Sequence, residues 1–106
     1  DYKKELERLN SESPLLGEAG ELDPLRNSFE KIYSNKIAIE IENLYLKNGC
    51  IYGDVEFLDT DGGRWAKNVY DEIGDRCFKI RGFVDSGAIP PDSLIVHKII
   101  TFDVYK

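Results

Sequence analysis

At 106 residues, with 42% hydrophobic and 11% aromatic content, the chain can fold as one domain around a modest core and is no disordered segment. Its 20 acidic and 14 basic residues leave a net charge of −6, which argues against nucleic acid as the main ligand, because phosphate binding needs clustered Lys and Arg. No apolar run approaches the roughly 20 residues that span a bilayer, so no membrane partner is expected, and no signal-peptide pattern is present. The first residue, Asp1, is not a methionine, as expected of a processed or trimmed start.

Taken in order, Tyr2 to Leu9 put Tyr2, Leu6 and Leu9 on one helical face, with Asp1 as a cap and Lys3, Lys4, Glu5, Glu7 and Arg8 turned outward. A helix this short must dock on the domain or on a partner. Asn10 to Asp23 reads as loop, and Pro24 to Tyr33 as a short helical turn. The clearest element is a β-hairpin over Ile37 to Thr60. Ile37, Ile39 and Ile41 alternate with Ala38, Glu40 and Glu42, and Ile51, Val55 and Phe57 with Tyr52, Asp54 and Glu56. This is the period of strands with one buried and one wet face. Asn48-Gly49 suits the positive φ angles of a type I′ turn, and the phase slip at Leu44 and Leu46 predicts a bulge near Asn43.

Trp65, Val69 and Ile73 then predict an amphipathic helix over 64–74, capped by Thr60 or Asp61 and ended by Gly74, with Trp65 and Tyr70 in the core. Arg76 to Val84 returns to strand, with Phe78, Ile80 and Val84 on one face. Asp85 to Ser93, with Pro90-Pro91, is a loop, and Leu94 to Tyr105 is a final strand. The expected fold is α+β, one domain over 1–106. It has an N-terminal helix and loop over 1–23 and a sheet core over 24–106, small, mostly antiparallel and curling toward a barrel, with one or two short helices. Tyr45 and Tyr52 suit either core or interface.

Chemistry is sparse. Asp59 and Asp61 beside Gly62-Gly63 invite a calcium loop, but an EF-hand needs an oxygen donor at Gly63 and a bidentate Glu at Tyr70, so a helix cap is the expected role. His97, the only histidine, alternates with Ile95 and Ile99 along a strand, and nothing in the spacing pairs it with Cys50 or Cys77 as a nucleophile. Those two cysteines are expected to be reduced and buried, with a disulfide conceivable if their strands pair. No metal site or cofactor motif is expected, and Lys79 is the one residue that would suit an unfamiliar enzyme, were it to lie in a pocket.

One ordered series goes further. Gly20 to Pro24 (GELDP), Ile41 to Thr60 (IENLYLKNGCIYGDVEFLDT), a short helix, Phe78 to Gly82 (FKIRG) and His97 to Val104 (HKIITFDV) together resemble the prohead proteases of tailed phages, above all the T-even type. The likeness covers roughly residues 15 to 105. In that family a GELDHP-like segment supplies the catalytic histidine and an SSRG-like strand the nucleophilic serine. The resemblance implies a herpesvirus or phage prohead-protease-like fold, with Tyr52-Gly53, Leu58-Asp59-Thr60, Arg81-Gly82 and Thr101 to Val104 matched.

Both catalytic positions depart from the pattern. The family's histidine position reads Pro24 and its serine position Lys79, with Ile80 before Arg81-Gly82. Proline cannot move a proton, and neither Lys79 nor Ile80 offers an acyl-accepting hydroxyl, so no protease activity is expected. The resemblance implies a pseudo-protease that binds, and inhibits, the prohead protease or its scaffold during head assembly, in the host-cell cytoplasm, the prohead or the virion. The alternative is a small acidic binding protein that blocks a host enzyme or defence factor, resting on the −6 balance.

Overall fold

The alternation over 37–57 becomes an antiparallel hairpin of β2 (Ile37–Lys47) and β3 (Cys50–Phe57). Asn48 and Gly49 close it at φ 52° and 78°, and Asn43 sits at φ 55° where the register shifts between Glu42 and Tyr45. The bulge and the turn fall where the sequence predicts them. The computed structural model describes the backbone of residues 2–12, 14–20, 30–85 and 95–106, and the side chains of all of these except 84–85 and 95–97. The expected Asp1 cap, residues 24–29 of the helical turn expected over 24–33, and the Pro90-Pro91 loop lie outside the described residues; residues 30–33 are not helical.

Before the hairpin, helix α1 (Tyr2–Ser11) is followed by strand β1 (Leu15–Glu18), which pairs antiparallel with β2. The segment from Asn10 to Asp23 is therefore not all loop. Four residues ending in a charge give too short a pattern to register in sequence. After the hairpin come helix α2 (Asp61–Ile73) and the antiparallel pair β4 (Phe78–Asp85) and β5 (Ile95–Val104). The fold is α+β, with two α-helices among the described residues and antiparallel sheets of order β1-β2-β3 and β4-β5. A parallel bridge, Ala19 to Val104, joins the sheets through β1 and β5, so β3 and β4 become the outer strands of one curled layer. Among the described residues the layer does not close into a barrel.

Helix α2 starts three residues before the predicted 64–74, because the Thr60 Oγ1 accepts from Gly63 N–H at 2.9 Å and also donates to the Ile37 carbonyl at 2.7 Å. Gly74 ends it as expected. Its buried face is Gly63, Ala66 and Val69, with Tyr70 and Ile73 packed alongside; Trp65 is 41% exposed and is not core. Ile80 likewise stands open to solvent. The core joins Leu6 and Leu9 of α1, Ile39 and Ile41 of β2, Val69 of α2, and Ile99 and Val104 of β5.

Helix α1 does more than bury Leu6 and Leu9. β1 is shorter than its neighbours β2 and β5, so each leaves main-chain groups without a strand partner on that side among the described residues. The Asn10 amide takes both groups of Leu44 in β2: Nδ2 donates to the carbonyl and Oδ1 accepts from the N–H, each at 2.8 Å. Glu5 Oε1 accepts from Ile99 N–H of β5 at 2.7 Å, while Arg8 donates to the Ile99 carbonyl. Side chains of one helix thus stand where a longer β1 would have paired on both sides, and the otherwise orphaned groups are satisfied.

The Glu5 link is acid-sensitive. The Arg8 guanidinium bonded to it, opposed by burial and helped by Ile99 N–H, holds the Glu5 carboxyl below its ordinary value near 4.5. Its contribution is complete above that value and is lost as pH falls through the depressed folded-state value. We expect amide protection over Leu6 to Asn10 to fall on acidification before the hairpin's does, and Glu5→Gln to flatten that acid dependence. Hydrogen exchange between pH 3 and 6 reads both.

Candidate functional site

The positions singled out by sequence separate in space. Lys79 lies on β4 with its Nζ 5.8 Å above the Tyr105 ring, a cation–π contact, and is not among the residues lining the cleft described below. Pro24 lies outside the described residues, and so does the side chain of His97, whose backbone belongs to β5. Both thiols are free. Cys50 is exposed at the start of β3, and Cys77 is buried in a 3-10 turn ahead of β4 rather than inside a strand. Burial pushes the Cys77 thiol up, which disfavours the thiolate that a nucleophile requires. Asp59 and Asp61 both bind Arg64, each at 2.7 Å, at the start of α2. No group of three or more potential ligands for a metal ion occurs among the described residues, and no helix there is long and apolar enough to cross a membrane.

The residues of Arg81-Gly82 and of Thr101 to Val104 meet in the interior. Arg81 is 2% exposed and grips Asp103 with both fork arms, Nε and Nη2, at 2.8 Å each. Its Nη2 also lies 3.5 Å from Glu18 Oε1, and Nη1 donates to the Lys31 carbonyl at 3.2 Å. The carboxylates in turn accept from main-chain N–H groups, Asp103 from Glu18 and Glu18 from Tyr33. Thr101 Oγ1 donates to the Leu16 carbonyl at 2.8 Å. A buried charge must be paired and hydrogen-bonded, and this one is fully so. The network ties β1 to β4 and β5. Its role is to hold the two sheets together, and sequence parity gave one hint of it: Thr101 and Asp103 share a strand face with Ile99, which is fully buried.

The open side of the layer holds a cleft of about 670 Å³ between β3 and β4. Ile41, Leu44, Ile51 and Val55 line one wall and Phe78, Ile80 and Phe102 the other, with Tyr2 of α1 contributing to the rim. Phe57, Tyr70 and Phe78, with ring centroids 5.5 to 6.4 Å apart, pack between the hairpin, α2 and β4 beside it. Gly53 keeps the wall thin, since a Cβ there would come within 2.9 Å of Leu44 Cδ2. Large apolar side chains stand exposed around it: Leu46 at 45%, Tyr52 at 47% and Ile80 at 48%. Tyr45 and Tyr52 stack on each other at 5.4 Å on the outer face of the hairpin.

That outer face is acidic. Glu40 stands directly opposite Glu56, and Glu42 opposite Asp54. Like charges directly opposed across a strand pair are unfavourable. Asp54 accepts from Asn43 Nδ2 at 2.8 Å, and none of the four carboxylates forms an ion pair with a described cation. An apolar inner wall, an acidic outer face and, between them, an edge of β3 with no strand partner among the described residues can bind; the free thiol of Cys50 and the carboxylate of Asp75 also line the cleft.

No family model, curated protein or solved structure matches the chain.

Proposed function

We propose that this chain is a non-catalytic binding domain that receives another protein at the cleft between β3 and β4. The observation that carries this reading is the cleft itself, apolar and about 670 Å³ in volume, bounded by two outer strands and ringed by exposed Leu46, Tyr52 and Ile80. Exposed apolar surface of this kind, beside strand edges with no strand partner among the described residues, suits a protein partner better than a small polar substrate.

The resemblance to prohead proteases gives the partner. Arg81, Thr101 and Asp103 hold the sheets together, and Thr60 caps α2, so the matched residues serve the architecture. A relative that kept the fold and lost the reaction would preserve those residues and change the histidine and serine positions, as Pro24 and Lys79 do. On this reading the chain binds the prohead protease or its scaffold in phage head assembly and restrains cleavage. The four opposed carboxylates of the hairpin favour a second partner class, a host enzyme or defence factor with a basic surface.

The test is a titration of purified T-even prohead protease and scaffold with this protein, alongside a casein cleavage assay. Association at micromolar concentration, inhibition of the protease and no cleavage by the protein alone are expected. No association at several hundred micromolar removes the head-assembly partner, and casein cleavage by the protein alone removes the non-catalytic reading.

A further inference from the structure

We infer that the free edge of β3 takes an extended strand from a partner protein, and that this strand alternates apolar residues with Lys or Arg. The inference rests on reading the cleft as a protein-binding site and adds the mode and the chemistry of the occupant.

The direction of the edge follows from the ladder. Leu58 N–H donates to the Ala38 carbonyl at 2.9 Å, and β2 and β3 pair Glu40 with Glu56 and Glu42 with Asp54. Main-chain groups alternate in an antiparallel ladder, so the even positions of β3 point to β2, and Gly53 and Val55 turn theirs to the free edge. β3 is the outer strand of its sheet among the described residues. A strand added there would extend the sheet by main-chain hydrogen bonds.

Its side chains would alternate between two very different faces. On the inner face they would meet Ile51, Val55 and the far wall at Ile80, and would fill the cleft. On the outer face they would stand beside Tyr52, Asp54 and Glu56. Cross-strand neighbours of opposite charge stabilise a sheet, and a cation beside Tyr52 gains from its ring. Basic residues would also relieve the carboxylate pairs that the free protein leaves opposed. A second copy of this chain is disfavoured at the same edge, because β3 against β3 would add acid to acid.

The test uses ten-residue peptides: one alternating Ile and Val with Lys, a second with Glu in place of Lys, and a third with the first composition unalternated. Amide exchange and chemical shifts report where each binds the full chain. The alternating Lys peptide is expected to bind about tenfold tighter than the Glu peptide, and its advantage to shrink in 0.5 M salt. It should protect the Gly53 and Val55 amides. Asp54→Lys with Glu56→Lys, which relieves the like-charge pairs and should leave folding intact, is expected to invert the Lys-over-Glu preference. Val55→Pro removes one outward donor but no bond to β2 and should abolish binding; since Val55 also packs against the core, Val55→Ala, which keeps the N–H, serves as its control and should retain the Lys-over-Glu preference.

Binding without protection at Gly53 and Val55, or without charge preference, would overturn strand addition and leave the cleft as a binding site. Failure of all three peptides at millimolar concentration would overturn the inference, while the titration with purified protease and scaffold decides the binding reading separately. Dimerisation that protects the same amides would assign the edge to a second copy and overturn the inference as well.

Discussion

Arg81→Met is expected to lower the unfolding free energy by about 3–5 kcal/mol, the usual cost of removing one partner from a buried ion pair. The substitution preserves volume and apolar stem but leaves Asp103 and Glu18, both almost fully buried, without their cation. Total stability of a small domain is commonly about 5–15 kcal/mol, so the variant should sit near the edge of folding at neutral pH. Arg81→Lys separates charge from shape. It restores a positive charge but not the two-armed grip on Asp103 or the bond to the Lys31 carbonyl, and should recover only part of the loss. Replacing all three charges by apolar residues is often neutral in other buried networks. Here it should not be, because the N–H groups of Glu18 and Tyr33 and the carbonyl of Lys31 depend on these side chains. Each orphaned group costs about 1–3 kcal/mol. Urea unfolding of the three variants, followed by circular dichroism, orders them; a fully apolar variant as stable as the parent would refute the structural role given to the network.

What sequence could reveal of this fold divides along a physical line. Local chemistry was readable. Asn48-Gly49 and the out-of-phase Leu44 announced the turn and the bulge, and both appear as positive φ at Asn48, Gly49 and Asn43. Thr60 and Gly74 announced the ends of α2. What depends on distant partners was not readable. Arg81 meets Asp103 across 22 positions and Glu18 is tied to Asp103 across 85, and α1 caps Ile99 of β5 from more than 90 positions away. In a chain with 32% charged residues, nothing local distinguishes a buried Glu18 or a strand-mimicking Asn10 from surface polarity. Trp65 failed for a related reason. Helical spacing placed it with Val69 and Ile73, but the strip facing β2 runs through Ala66 and Val69, and a tryptophan at its border remains open. The cleft, too, belongs to the arrangement of β3 and β4 rather than to either strand.

The same dependence on a remote neighbour makes Gly17→Ala a severe substitution. Gly17 lies in β1 beside β5 without a positive φ, so alanine there would normally stabilise by restricting the unfolded chain, by about 0.4–1 kcal/mol. A Cβ at this position, however, would intrude on the Phe102 carbonyl oxygen and lie 2.8 Å from Ile39 Cγ1. The first obstacle is backbone, so β1 and β5 must part. Their junction consists of the Ala19–Val104 bridge, the bond from Gly20 N–H to the Val104 carbonyl at 2.8 Å, the Asp103 bond to Glu18 N–H and the Thr101 bond to the Leu16 carbonyl. Separation strains all of these together, and the overpacking cost should reach about 3 kcal/mol, outweighing the entropic gain. Gly49→Asn is the matched control, since Gly49 has φ 78° with open space around it and asparagine tolerates that conformation. It should cost under about 1 kcal/mol. Because β1 and β5 set the angle between the two sheets, Gly17→Ala should also reshape the cleft, whereas Gly49→Asn should not. Calorimetric melting of both variants, with peptide affinity measured well below each transition, gives two readouts. Equal effects of the two glycines on either one would show that the junction does not control the cleft.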